Sequence, residues 1–138
     1  MSVYTRAAVY DYVYDRVIQA FPDAYISGMY EPVVPSFPAV FIREIGNYSN
    51  PEAVTFGGSQ DVWTSTFEVQ IQSNKIDTPM SEVYEIFNVV KSAFSSIFYI
   101  HINTNNIGTY DDKNYRIVAT FRKVIGEADE MPNTNNGG

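Results

Sequence analysis

From Val62 to Ser73 the chain alternates without a break: Trp63, Ser65, Phe67, Val69 and Ile71 fall on one side, and Thr64, Thr66, Glu68, Gln70 and Gln72 on the other. A period of two is the repeat of an extended strand, in which successive side chains point to opposite faces. A helix would scatter the same residues around its axis. One side of this strand meets a core, and the other meets water or a polar neighbour. Any fold for this chain must therefore contain a sheet with a covering layer, and the remaining segments are read for what could supply both.

Two segments read as helices. Between Val3 and Phe21 the residues Tyr10, Val13, Tyr14, Val17, Ile18 and Phe21 repeat at helical spacing, while Arg6, Asp11, Asp15 and Arg16 fall mostly elsewhere. Tyr12 points away from that stripe. Phe21-Pro22 ends the segment, because the proline ring pushes the residue before it out of the helical region. Asp77-Thr78-Pro79 opens the second helix, with Glu82 placed to complement the helix dipole. Its apolar stripe is Val83, Ile86, Phe87, Val90, Phe94 and Ile97.

Four further strands are expected. Ala24 to Tyr30 is short, and the prolines at 32, 35 and 38 make the next segment an extended connector. Ala39 to Ile45 places Phe41 on one face and Val40 and Ile42 on the other, half buried on each side. Gly46 to Asp61 reads as a polar loop or an extended hairpin tip, with Asn47-Tyr48-Ser49 taken as a loop tripeptide rather than a glycosylation site. Phe98 to Asn103 and Tyr115 to Ile125 complete the set, separated by the polar turn Thr104 to Asn114; Ile117, Ala119 and Phe121 share one face. The order α-β-β-β-α-β-β predicts an α+β fold, a mainly antiparallel sheet of about five strands with two helices on one face. A single domain over residues 1–126 is expected, followed by an acidic, Asn- and Gly-rich tail over 127–138 with nothing left to bury after Gly126.

Composition narrows the chemistry. In 138 residues there are no cysteines, so a disulfide framework, a thiolate metal site and a thiol nucleophile are all absent. Sixteen acidic against nine basic residues give a net charge of −7, which repels phosphate and disfavours a partner held through a nucleic-acid backbone. The N-terminus lacks the pattern of a secretory signal, and no run approaches the length of a membrane span. A soluble, unexported protein is expected.

No candidate for catalysis assembles. His101 is the single histidine and has no second one to pair with. No serine sits in a Gly-x-Ser-x-Gly elbow, and no glycine-rich phosphate loop occurs. Glu82 and Glu85 flank an apolar stripe, where acids solvate a helix, and Asp111-Asp112-Lys113-Asn114 reads as a turn, without the spacing of a calcium loop. No metal and no cofactor are expected. Arg116 and Arg122 share a strand face, where they meet acids of the facing strand or of a neighbouring subunit.

In its size, in the opening helix ending at Phe21-Pro22, in Ser36-Phe37-Pro38-Ala39-Val40-Phe41-Ile42, in Phe67-Glu68-Val69-Gln70-Ile71-Gln72-Ser73 and in Tyr115-Arg116-Ile117-Val118-Ala119-Thr120-Phe121-Arg122, the chain resembles the tail terminator (tail completion, head-tail joining) proteins of tailed bacteriophages. The resemblance spans about residues 3–126. It implies a virion protein of the tail or neck, assembled in the host cytoplasm: a homo-oligomeric ring, commonly a hexamer, that caps the tail tube, stops its growth and offers a docking surface to the neck or connector. Genomic DNA would pass through without specific binding, and no membrane is involved. For the subunit contacts, Tyr48, Phe56 and Trp63 in or beside the long loop, Tyr110 in the later turn, and Arg116 and Arg122 on the last strand are the candidates. Two other readings are another virion joining or tail-tube subunit, and a small-ligand binding module with a pocket between sheet and helices lined by Phe67, Phe87 and Phe94.

Overall fold

The computed structural model describes residues 4–29, 31, 33–49, 62–106, 114–126 and 129–132, with main chain alone over 47–49. The elements are α1 (Arg6–Ala20), β1 (Tyr25–Ser27), β2 (Ala39–Ser49), β3 (Val62–Ser73), α2 (Pro79–Ser96), β4 (Ile100–Asn106) and β5 (Tyr115–Gly126). The expected order is present, and the fold is α+β.

The strands form one five-stranded sheet in the order β1-β2-β3-β5-β4. β2, β3, β5 and β4 pair antiparallel. β1 pairs with β2 in parallel, Tyr25 opposite Ala39 and Ser27 opposite Phe41. The sheet is therefore mixed. The physical reason lies in the connector: the proline-containing segment after β1 is long enough to carry the chain back before β2 starts, whereas a tight turn would have forced an antiparallel pair.

β3 is central, and its register explains its pattern. Phe67, Val69 and Ile71 stand beside Phe121, Ala119 and Ile117 of β5 and are all buried under α2. Phe94 of α2 stacks on Phe121 with ring centroids 4.4 Å apart, and its ring lies 5.7 Å from that of Phe67. Each fully buried side chain of this kind contributes about 1.5–3 kcal/mol. The whole expected stripe of α2, Val83, Ile86, Phe87, Val90, Phe94 and Ile97, is buried, with Ala93 added. Pro79 occupies the start of α2, and the Ser73 hydroxyl donates to the Glu82 carboxylate at 2.6 Å, tying the helix start to the end of β3.

α1 differs from its expected stripe. Thr5 caps it by accepting from the Ala8 amide at 3.0 Å, and the fully buried line is Val9, Val13 and Val17. Tyr10, Tyr14, Ile18 and Phe21 are half-buried beside that line. Small β-branched side chains at i, i+4 and i+8 let the helix approach closely, and Tyr10 and Tyr14 flank the seam with ring centroids 5.9 Å apart. Tyr12 does not point away: its hydroxyl hydrogen-bonds Ser96 of α2 at 2.8 Å, and Arg16 lies over its ring.

Some boundaries and one burial reading also shift, and β4 runs from Ile100 to Asn106 rather than from Phe98 to Asn103. β2 runs on through Asn47, Tyr48 and Ser49, paired with Ser65, Thr64 and Trp63 across an irregularity at Ile45, so the sequon tripeptide lies in a strand and the first part of the supposed loop is hairpin. Phe41 is 1% exposed on the sheet face opposite the helices, edge-on to Tyr25, while Val40 and Ile42 are buried on the helix side, so β2 is fully buried on both sides at its centre rather than half-buried. Beyond Gly126, Met131 is 9% exposed and joins the core cluster. There Asp129 receives the Gly126 amide at 2.8 Å and lies 3.8 Å from the Lys123 ammonium.

Candidate functional site

The helix-covered side of the sheet carries a short polar chain inside an apolar layer. Tyr99 follows α2, and its ring packs edge-on against Phe67 and Phe94. Its hydroxyl meets Ser65 at 2.8 Å, and Ser65 donates to the Glu44 carboxylate at 2.8 Å, so Tyr99 is the donor to Ser65. Burial pushes the Tyr99 hydroxyl well above the ordinary tyrosine range; the Ser65 hydrogen bond opposes this and the Glu44 charge adds to it. Tyr4 donates to the Ile97 carbonyl at 3.0 Å. The network is buried at Tyr99 and Ser65 and part-buried at Glu44, and it ties together β2, β3 and the α2–β4 turn.

His101 sits on the edge strand β4 with its ring 5.5 Å from Phe87 and 5.4 Å from Phe121, and its Nε2 pairs with the Thr104 hydroxyl at 2.6 Å. The ring closes the end of the aromatic core. Phe67, Phe87 and Phe94, expected to line a ligand pocket, are core side chains packed on one another and on their neighbours. Among the described residues, no group of three or more His, Cys, Asp or Glu is placed to hold a metal ion, and no helix is long and apolar enough to cross a membrane.

Of the residues expected at subunit contacts, the structure describes Trp63, Arg116, Arg122 and the main chain of Tyr48. Trp63 lies in β3 opposite Ser49 and Ile125, half-buried against the core. The main chain of Tyr48 pairs with Thr64, while Phe56 and Tyr110 lie outside the described residues. Arg116 and Arg122 share the sheet face away from the helices, as their even spacing required, Arg116 opposite Gln72 and Arg122 opposite Thr66 and Ile100. Of the two fates open to them, pairing with a facing acid is not realised among the described residues, where the ion pairs are Arg43–Glu68 and Lys123–Asp129. The Arg116 Nε is buried without a hydrogen-bond partner, and Arg122 is exposed.

Sequence reasoning missed an exposed apolar group at the end of α2 and along β4. α2 ends in a Schellman motif: the Tyr99 amide donates to the Phe94 carbonyl at 2.9 Å and the Phe98 amide to the Ser95 carbonyl at 3.0 Å. That motif puts Phe98 at φ 71°, a position normally held by glycine, and turns its ring out to 63% exposure. Ile100, Ile102 and Val124 are exposed beside it. The only sequence signal was a phenylalanine where a helix-ending glycine is usual.

The described fold thus defines a two-helix, mixed-sheet α+β domain with a tightly packed helix side and an apolar, cation-bordered edge. No family model matches the chain, and no curated protein does. Among solved structures, a chain in the virion of a native gene transfer agent particle has the same fold: TM-score 0.58 at 9% identity, over 90% of this chain and 99% of that one. At that identity the likeness is one of fold.

Proposed function

We propose that this chain is a structural protein of a virion and, more specifically, a tail terminator: a subunit that assembles with copies of itself into a ring, caps the tail tube and joins it to the neck or connector. The observation that supports this best is the shared fold with a chain of a gene transfer agent virion, nearly end to end in both chains. The resemblance of the strand-entry and last-strand sequences to tail terminators points the same way. The described surface offers contact chemistry: an exposed apolar edge, an arginine beside it with no ion pair among the described residues, and a packed body behind.

In this reading the output of the protein is geometric complementarity. Neighbouring copies and the end of the tube are its partners, and DNA crosses the ring unread because a chain of net charge −7 gives phosphates no general hold. Assembly would take place in the host cytoplasm and the product would reside in the virion.

The experiment removes the gene from a producing genome and images the particles. Overlong tails or tails unattached to heads are expected, with recovery when the chain is supplied in trans. Tails of normal length joined to heads in its absence would overturn the proposal.

A further inference from the structure

Among the described residues the sheet has two edges, and they are unlike. β4 is one of them, seven residues with no Lys, Arg, Asp, Glu or Pro. Edge strands that remain unpaired are normally very short, charged, proline-bearing or covered, because their free main-chain groups template pairing. β4 has a bulge near Ile102 but none of the charged protections. Exposed apolar side chains form a ridge along it: Phe98, just before the strand and 6.0 Å from the Lys123 ammonium, then Ile100 at 67% exposure and Ile102, with Val124 exposed on the neighbouring strand β5. Ile100 stands opposite Arg122, so a cation without an ion pair among the described residues borders the ridge.

The other edge is β1, only three residues long. Beside it a groove of about 700 Å³ opens between the end of β1, the middle of β2 and the first turns of α1. That is room for several large side chains. Its apolar lining includes Tyr10, Met29 and Ile42, and Met29 is 75% exposed. Arg6, Asp11, Arg43 and Glu44 also line it, Arg43 being held by Glu68 at 3.0 Å.

We infer that the β4 edge of one copy docks into the β1-side groove of the next. The inference rests on the self-assembling reading proposed for the chain and names the two surfaces it would use. A ridge at one edge and a groove of mixed apolar and charged lining at the other are complementary to each other and not to themselves, which is the condition for a heterologous contact, the kind that closes into rings or runs on as filaments. A two-fold β4-to-β4 contact would leave the groove empty and bring two Arg122 side chains to one seam. Copies of net charge −7 repel at a distance, so their contact needs local opposite charge, and Arg122 against Asp11 of the groove supplies it.

The test uses the full chain in sedimentation velocity, with the fold of each variant checked by circular dichroism. The wild type is expected to form a closed oligomer, and Ile100→Lys and Met29→Lys are each expected to be monomeric. Mixed one to one, the two variants retain one intact ridge and one intact groove between them and should give heterodimers and nothing larger. Met29→Lys that still assembles, a mixture that stays monomeric, or a wild type that is monomeric at millimolar concentration would each overturn the contact. Should the lysine variants misfold, the cysteine-free background offers a second readout. Mild oxidation of mixed Ile100→Cys and Met29→Cys chains should give the mixed disulfide in preference to either homodimer, and a statistical mixture overturns the contact. A wild-type oligomer indifferent to both edges removes this contact and leaves the terminator reading standing, which fails separately on tail length.

Discussion

Phe94 and Phe98 are one helical turn apart in sequence and have opposite fates. Phe94 is fully buried and stacked on Phe121; Phe98, at the left-handed residue that ends the same helix, stands in solvent beside β4. The first belongs to a region where every apolar side chain is matched by another across α2, β3 and β5. The second belongs to a margin where apolar side chains are exposed, the Phe98 ring meeting the Lys123 ammonium at 6.0 Å. The contrast teaches that apolar content alone does not distinguish folding residues from contact residues: the backbone conformation at the helix end assigns the roles.

Truncation should separate the two regions most strongly. Phe94→Ala is expected to lose about 3–5 kcal/mol of stability in chemical denaturation, since it opens a cavity among Phe67, Tyr99 and Phe121. A loss below about 1 kcal/mol would show that this centre is loosely packed. Next in size, Ser65→Ala leaves the Tyr99 hydroxyl and a Glu44 oxygen without the partner they share, and should cost about 1–3 kcal/mol by the same measurement.

At the margin the sign reverses. Phe98→Gly relieves a bulky residue from the left-handed region and should stabilise the folded monomer by roughly 1 kcal/mol, while weakening self-association. Destabilisation instead would mean that the ring packs onto its own chain more than its exposure indicates. Smallest of all, Arg43→Ala removes an ion pair whose arginine is largely exposed, on the sheet face away from α2, and should shift stability by less than about 1 kcal/mol, less still at high salt.

Much of the fold was legible because its signals are local. The period-two run of β3, the period-3.6 stripe of α2, the proline after α1 and the even spacing of Arg116 and Arg122 each follow from geometry within one segment, and each matches the element or face found. The candidate contacts were less legible. Phe98, Ile100 and Ile102 read as the start of an ordinary strand, because nothing in the order of residues states that the strand lies at an edge.

The sequence by itself determined the order of helices and strands, though not where β2 and β4 end, and the chemistry the chain cannot do for want of cysteine. Tertiary structure alone decided that β1 runs parallel to β2, that Phe41 is buried on the far face, that the valines rather than the tyrosines of α1 face inward, and that Met131 returns to the core. The reason is physical: periodicity tells which residues share a face, but which face is covered depends on the strand order and on segments distant in sequence, and those contacts exist only once the sheet has closed around them.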